Sequence, residues 1–553
     1  MAVDPVDRAV ITQALLAAAR EMGTKLVRSA YSTIVREARD ASAAILDREG
    51  NVVAQAEMVP MQLGSMGTTL RPCLAHYRLD EIEEDDFFVN NHPYQGGQHL
   101  QDVFIFSPIF VSGRLVGFAG SVAHHLELGG GGVGLNNAAT DLYQEGLIIP
   151  PTKYNRRRDW DGGAFERLLG ANIRVPEQTL GDFNAQFAAN ATGTERVRQL
   201  CAKHGTDVVE DVMVGLIDYT ESQLRAAIRA LPDGVYYGED WVDDDGITDE
   251  PLPIRVKVTI AGDTLDVDFA GTAPQVRTNI NSPLASTGSA VMSCVKGVLL
   301  PPEVPCNEGS FRPITLRVPQ GSILNPNAPA PVRARMEPCY RAYDAIMKAL
   351  APIVPDRAIA SGFDATLVAC LSKTIPGGFR VCMEVYGGGF GASVAADGAD
   401  GIAAPLSNCT NQPVEALDME YDFFRIASYG FEPDSFGHGR YRGGLGQRRE
   451  YEVLADDVQF TLYADRLRVA PLGLEGGTPA QLTRCEILRN GSRLNVDPRK
   501  VVTLRTGDRI VIATSGGAGY GNPRERPSEL VQNDVRQQIV PASVARTVYG
   551  EVV

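Results

Sequence analysis

The sequence predicts an α+β protein of several domains, with mixed and antiparallel sheets and a β-rich C-terminal part. Three observations carry this expectation. A long helical period opens the chain, hairpin-like strand pairs follow it, and the stretch from Ser435 to Asn522 alternates Val and Leu with glycine punctuation at Gly443, Gly444 and Gly446. At 553 residues the chain holds about three or four domains' worth of core. Four regions are expected: an N-terminal α+β region (1–235), a β-rich and loop-rich middle (236–335), an α/β region (336–430) and a mostly β C-terminal region (431–553).

The opening helix is expected from Pro5 to about Ile34, with Ile11, Leu15, Ala18, Met22 and Leu26 on one face, Asp4 as N-cap and Pro5 at its first position. Ala41 to Leu46 and Asn51 to Gln55 read as strands around the turn Asp47, Arg48, Glu49, Gly50, which leaves Asp40 where a helix gives way to a hairpin. Val103 to Phe110 and Leu115 to Ala123 form a second hairpin joined at Val111 to Arg114, and Pro108 places its first strand at a sheet edge. Val208 to Leu231 is a helix closed by Pro232, Asp233 and Gly234; strands follow at Ile254 to Ile260 and Thr264 to Phe269. Asn279 to Pro331 reads as a loop-rich connection, Arg341 to Ala351 as a helix, and a last helix starts near Pro527.

Composition excludes several functions. Acidic residues exceed basic ones by 68 to 52, a net charge of −16, which disfavours nucleic acid and anionic membrane surfaces as partners. The Arg156, Arg157, Arg158 run is followed at once by Asp159 and Asp161 and reads as a solvated loop. Nine cysteines, well separated and without a CxxC pair, argue against a disulfide framework and a cysteine zinc site. No apolar run approaches the roughly 18 residues of a spanning helix and no secretory signal is visible, so the cytoplasm is the expected compartment.

Histidine is scarce, seven in all, yet His92, His99, His124 and His125 crowd into one short segment. With the hairpin turn centred on Ser112 and Gly113, paired residue numbers sum to about 225, placing Asp102 opposite Ala123 and beside His124. The open end of the hairpin thus gathers His99, Asp102 and His124. Neutral imidazoles and a carboxylate are donors that zinc, manganese or iron accept. Asp40 is a candidate fourth ligand. The competing reading is an ordinary hydrogen-bonded strand end. Gly96, Gly97, Gly129 to Gly132 and Gly134 flank the cluster and suit a close-wrapping loop. The chain has neither a GxxxxGK[ST] phosphate loop nor a GxSxG elbow, so it shows no nucleotide site of its own.

The segments NHPYQGGQHLQDV and AHHLELGG resemble the hydantoinase B family, the B-type subunits or domains of ATP-dependent oxoprolinases, N-methylhydantoinases and caprolactamase, related to a subunit of acetone and acetophenone carboxylases. The resemblance continues through LYQEGLIIPPTKY (Leu142 to Tyr154), NEGSFRPI (Asn307 to Ile314), NPNAPAPVRAR (Asn325 to Arg335), GRYRGGLGQRR (Gly439 to Arg449) and SGGAGYGNP (Ser515 to Pro523). It implies a metal held by Asp40, His99, Asp102 and His124, within the first region. Zinc or manganese is the first expectation and iron a further one. Two positions depart from the resembled pattern: His92 replaces the Asp of NDPY, and Glu127 replaces the Asp of HHxD.

The resemblance also implies a partner. ATP is bound by an A-type subunit, which phosphorylates the carbonyl oxygen of a small cyclic amide, and the B-type subunit completes hydrolysis in a hetero-oligomer such as a dimer of heterodimers. His125, Glu127 and Glu145 are then candidates for proton transfer, with ordinary hydrogen bonding as the competing role. Arg333 and Arg335 are candidate contacts for an anionic intermediate or structural anchors. Two alternatives stand beside the hydrolase: a subunit of an ATP-dependent ketone carboxylase and a non-catalytic scaffold.

Overall fold

The computed structural model describes residues 4–551. The chain forms two units, Met1–Tyr236 with Val256–Arg335, and Tyr237–Arg255 with Met336–Val553. Residues 336–430 and 431–553 therefore lie together in the second unit, while 236–335 is shared between the two. Among the described residues, none of the nine cysteines is in a disulfide. Among the described residues, no helix is long and apolar enough to cross a membrane.

The first helix, Pro5–Ser29, starts where expected, with the Asp4 carboxylate accepting the Val6 N–H at 2.8 Å. It ends five residues before the expected Ile34. The Asp182 carboxylate accepts the N–H groups of Tyr31 and Ser32 at 2.7 and 3.1 Å, so these donors leave the helical ladder, and Ser32 then caps a separate turn, Thr33–Arg36.

The centre of the first unit is a six-stranded antiparallel sheet of β1 (Ala41–Asp47), β2 (Val52–Gln55), β3 (Asp86–Asn90), β4 (Asp102–Val111), β5 (Arg114–His124) and β6 (Thr152–Asn155), in the order β2-β1-β5-β4-β3-β6. Side chains alternate across its plane. Phe88, Phe104, Phe106, Phe118 and Val122 pack on one face with Met66, Leu70 and Cys73 of the Met66–His76 helix. Phe87, Val89, Val103 and Ile105 pack on the other with Trp160, Phe165 and Phe183. Each fully buried Phe contributes about 1.5–3 kcal/mol, so this double-sided packing fixes the register of the central strands.

Three expectations are corrected here. β4 is an inner strand, not an edge; Pro108 is tolerated because the β3 ladder covers only Phe104 to Phe106 of it, leaving the Pro108 nitrogen beyond that pairing. The Asn279 to Pro331 stretch is not loop throughout, since Leu284–Leu299 is a largely buried helix whose Ser, Thr and Gly content masked its period. The third is an omission. Pro176–His204, the longest helix, buries Thr179, Gly181, Asp182, Gln186, Asn190 and Gly193 interspersed with Phe183, Ala185, Ala189, Val197 and Cys201. Two of the polar residues serve the sheet: Gln186 Nε2 donates to Val103 O at 2.9 Å and Asn190 Nδ2 to Ile105 O at 3.1 Å.

In the second unit, two antiparallel sheets share one core. One runs Gly378–Tyr386, Leu367–Ile375, Val458–Tyr463, Val502–Leu504; the other runs Phe424–Glu432, Gly446–Val453, Arg509–Ala513, Arg484–Arg489, Ser492–Arg493. Leu371, Tyr386, Phe424, Tyr451, Phe460 and Ile510 lie in that shared core. The β-rich C-terminal part is thus as expected, with the Met336–Leu350 helix beginning five residues before the expected Arg341.

Candidate functional site

Three neighbouring strands of the first unit bring their functional residues to the same end of the sheet. Asp102 of β4 pairs directly with His124 of β5. Ala41 of β1 pairs with Ala123, and the next step along that ladder is Asp40 beside His124, where the His124 N–H donates to Asp40 O at 3.0 Å. Asp40, His124 and Asp102 therefore lie side by side. His99 sits one turn before Asp102, its ring 5.0 Å from the His124 ring and its Nδ1 3.2 Å from Asp102 Oδ2. The expected pairing of Asp102 with Ala123 is off by one. Pair numbers sum to 225 next to the turn, but an irregularity between Ile109 and Phe110 raises the sum to 226 from there to Asp102.

Two glutamines and an arginine tie the group together. Gln62 Nε2 donates to Asp40 Oδ1 at 2.8 Å and to Asp102 Oδ1 at 3.1 Å. Arg335 Nη2 donates to Asp102 Oδ2 at 2.5 Å and to Gln98 Oε1 at 2.9 Å. Gln62 carries no signal in the sequence that marks it beforehand, while Gln98 lies next to His99 in the NHPYQGGQHLQDV segment. Burial raises the Asp102 carboxyl, but His99 and the Arg335 guanidinium outweigh it and hold Asp102 well below the ordinary carboxylate range. Burial, followed by the Arg335 charge, drops His99 to about 4, and burial with His99 depresses His124, so both rings are neutral at pH 7.

The three candidates for proton transfer have other partners. On a strand, neighbours face opposite sides, so His124 joins Asp102 while His125 points at the Pro176–His204 helix, 3.0 Å from Gln186 Oε1 and packed on Phe183 with ring centres 4.5 Å apart. Glu127 accepts from Gly129 N at 2.7 Å and from Arg174 N and Nη1 at 2.6 Å each. Glu145 accepts the backbone N–H groups of Val332 and Arg333 at 2.9 to 3.1 Å, and burial pushes its carboxyl up to about 7. Glu145 thereby fastens the loop that carries Arg335 to Asp102. His92 Nδ1 accepts the Tyr94 N–H at 3.2 Å, a turn-capping role that an Asp also fills.

The donor set has the chemistry of a transition-metal site: two neutral imidazoles and two carboxylates, with His124 Nδ1 buried and without a hydrogen-bond partner among the described residues. These residues fit a metal, although among the described residues no three His, Cys, Asp or Glu side chains already stand in ligand spacing. Both Asp102 oxygens receive hydrogen bonds, Oδ1 from Gln62 and Oδ2 from Arg335.

The family model for Hydantoinase B/oxoprolinase matches residues 4–523. This chain belongs to that family. The provisionally named B component of a D-/L-hydantoinase of Pseudomonas sp. strain NS671 is 33% identical over 99% of this chain and 95% of its own length. The crystal structure of an ATP-dependent caprolactamase from Pseudomonas jessenii superposes with a TM-score of 0.91 at 29% identity, covering 100% of this chain and 97% of that one. A nucleotide-free acetone carboxylase structure shares the fold, with a TM-score of 0.88 at 18% identity over 100% of this chain and 80% of that one.

In this hydantoinase B chain the His99 loop depends on Gly96, which has φ +90° and lies against the Thr68 carbonyl. Its own carbonyl accepts from Thr68 Oγ1 and Thr69 Oγ1 at 3.1 and 2.8 Å. Gly96→Ala adds a strained φ and a backbone clash, for an expected loss of about 2–4 kcal/mol by denaturant titration. An unchanged midpoint contradicts the assigned loop geometry.

Proposed function

We propose that this chain is the B-type subunit of an ATP-dependent cyclic amidohydrolase working in the cytoplasm, paired with an A-type subunit that phosphorylates the carbonyl oxygen of a small cyclic amide. The single observation that carries the reading is the convergence of Asp40, His99, Asp102 and His124 at one end of a sheet, in a family whose relatives include hydantoinase and caprolactamase subunits. The higher identity to those relatives than to acetone carboxylase supports hydrolysis over carboxylation.

Phosphorylation removes nitrogen's donation into the carbonyl. Water then adds to the carbon, the ring C–N bond breaks with a proton passing to nitrogen, and a second water releases phosphate from the acyl phosphate, leaving a carboxylate. Asp40, His99, Asp102 and His124 are the residues that would hold a divalent transition metal, zinc or manganese first. When bound, such an ion lowers the pKa of water from 15.7 towards about 7. The chain's own part is to keep His99 and His124 neutral by burial, so that their ring nitrogens are available, and to keep Asp102 ionised through Arg335. Gln62 aligns the two carboxylates. His125, Glu127 and Glu145 act by positioning, through Gln186, Arg174 and the Val332–Arg333 backbone.

Elemental analysis of the purified chain tests this, together with turnover of hydantoins and lactams by the chain, its A-type partner and ATP. About one transition-metal ion per chain is expected in the wild type, with loss of metal and turnover in both His99→Ala and Asp102→Ala. Metal retained in both variants removes the site assignment. Metal lost without any cyclic-amide turnover in the wild type removes the hydrolase reading instead.

A further inference from the structure

Two arginines leave the same loop, and the structure uses them differently. Arg335 Nη2 donates to both Asp102 and Gln98, while its Nε is buried without a partner among the described residues. Arg333 is only 5% exposed, its Nη2 is buried without a partner, and among the described residues its guanidinium makes no hydrogen bond or ion pair. The backbone that carries it is held from several sides: Glu145 binds the Val332 and Arg333 N–H groups, and Asn281 Nδ2 donates to Pro331 O at 3.0 Å. An arginine on a free loop turns its head to water. This one is held inside, where an unpaired charge strongly disfavours folding.

Its surroundings narrow what it is for. The Arg333 N–H donates to Glu145 at 2.9 Å, and Arg335, two residues on, reaches Asp102, so Arg333 stands on the loop that flanks the four-residue cluster. Asp102 is already answered by Arg335, and Glu145 turns both oxygens to backbone N–H groups. Among the described residues, the Arg333 guanidinium is left without a paired anion.

We propose that Arg333 is the receptor for a phosphoryl oxyanion, holding the phosphate of the activated amide beside the Asp40, His99, Asp102 and His124 cluster. A guanidinium offers paired N–H groups to two oxygens of one phosphate, which a lysine ammonium does not. The phosphoryl assignment rests on the hydrolase reading above; the anion subsite itself does not.

The test is calorimetric titration of inorganic phosphate into the full chain as wild type, Arg333→Gln, Arg333→Lys and the exposed control Arg78→Gln, with thermal midpoints in phosphate-free buffer. Phosphate is expected to bind the wild type and the control alike, with affinity reduced at least about tenfold in Arg333→Gln and partly retained in Arg333→Lys. The Arg333→Gln midpoint is expected at or above that of the wild type, because an uncompensated charge has gone. A structural anchor gives the opposite sign, so a lowered midpoint or an unfolded Arg333→Gln that Arg333→Lys rescues overturns the proposal. Undiminished binding in Arg333→Gln, no phosphate binding by the wild type, or preferential binding of bicarbonate also overturns it. If phosphate binding depends on Arg333 while the assembled complex hydrolyses no cyclic amide, the subsite stands and the hydrolase reading falls.

Discussion

Arg341→Met is expected to lower the stability of the second unit by about 3–5 kcal/mol, the largest effect of any single substitution outside the candidate site. Arg341 is 0% exposed and stands among carboxylates, 3.4 Å from Asp344 and 3.7 Å from both Asp240 and Asp465. Arg466 adds a second buried guanidinium 2.9 Å from Asp344, and Lys348 reaches Asp240 at 3.2 Å. Methionine fills a similar volume but leaves those carboxylates to two cations. Breaking a buried network from one side is costly because the remaining charges have no water to turn to. Arg341→Lys keeps the charge and is expected to lose less.

The pH dependence of this loss distinguishes the electrostatic cause from packing. Burial, with neighbouring carboxylates, raises Asp344, Asp465 and Glu337 well above their ordinary range, and burial pushes Asp364 up to about 6. A carboxyl with a raised folded pKa binds a proton in the folded state that the unfolded chain has already released. Stability therefore falls as pH rises from about 4 through the folded values and stays low above them. Removing Arg341 raises those values further, so the Arg341→Met deficit should be larger at pH 8 than at pH 5.5 in chemical denaturation. An equal deficit at both points to lost packing, and a deficit under about 1 kcal/mol means that bound protons already neutralise the cluster.

The legible parts of this protein were those where one periodicity dominates. The Ser112–Gly113 turn and the strands around it gave the β4–β5 hairpin, and histidine crowding marked its open end. The single-residue register error came from an irregularity between Ile109 and Phe110, next to Pro108 and opposite Gly117, which the regular pairing from the turn did not take into account. The Pro176–His204 helix escapes the sequence reading because Gln186 and Asn190, which serve the sheet carbonyls, and Thr179, Asp182 and two glycines interrupt the apolar residues of its buried face. The adjacent His124 and His125 turn to opposite sides at the end of β5, His124 to Asp102 and His125 to Gln186. Arg333 and Arg335 share one motif and one chemistry. Only three-dimensional placement shows that Asp102 answers one of them and that, among the described residues, no carboxylate pairs with the other.

Asp102→Asn is expected to abolish detectable turnover by the assembled complex while keeping nearly the same side-chain shape. Asp102 is 0% exposed and receives donors on both oxygens, Gln62 on Oδ1 and Arg335 on Oδ2. Asparagine has one acceptor oxygen, so whichever way its amide turns, its NH2 faces another donor and one buried donor loses its partner. The substitution also removes the charge that answers Arg335, for an expected stability loss of about 3–5 kcal/mol. Because Asp102 has a depressed folded pKa, its stabilising effect is fully present above the unfolded carboxyl value of about 3.9 and is lost only as pH falls below it. The wild-type advantage should accordingly be flat from pH 8 to pH 5 in denaturant titrations. Adding Arg335→Met to Asp102→Asn removes the unanswered guanidinium and is expected to recover part of the stability and none of the metal or the turnover. Recovery of turnover in the double variant would reduce Asp102 to a counterion for Arg335 and take it out of the proposed ligand set. Stability recovered without metal leaves Asp102 with two separable tasks, one in the ion pair and one at the metal.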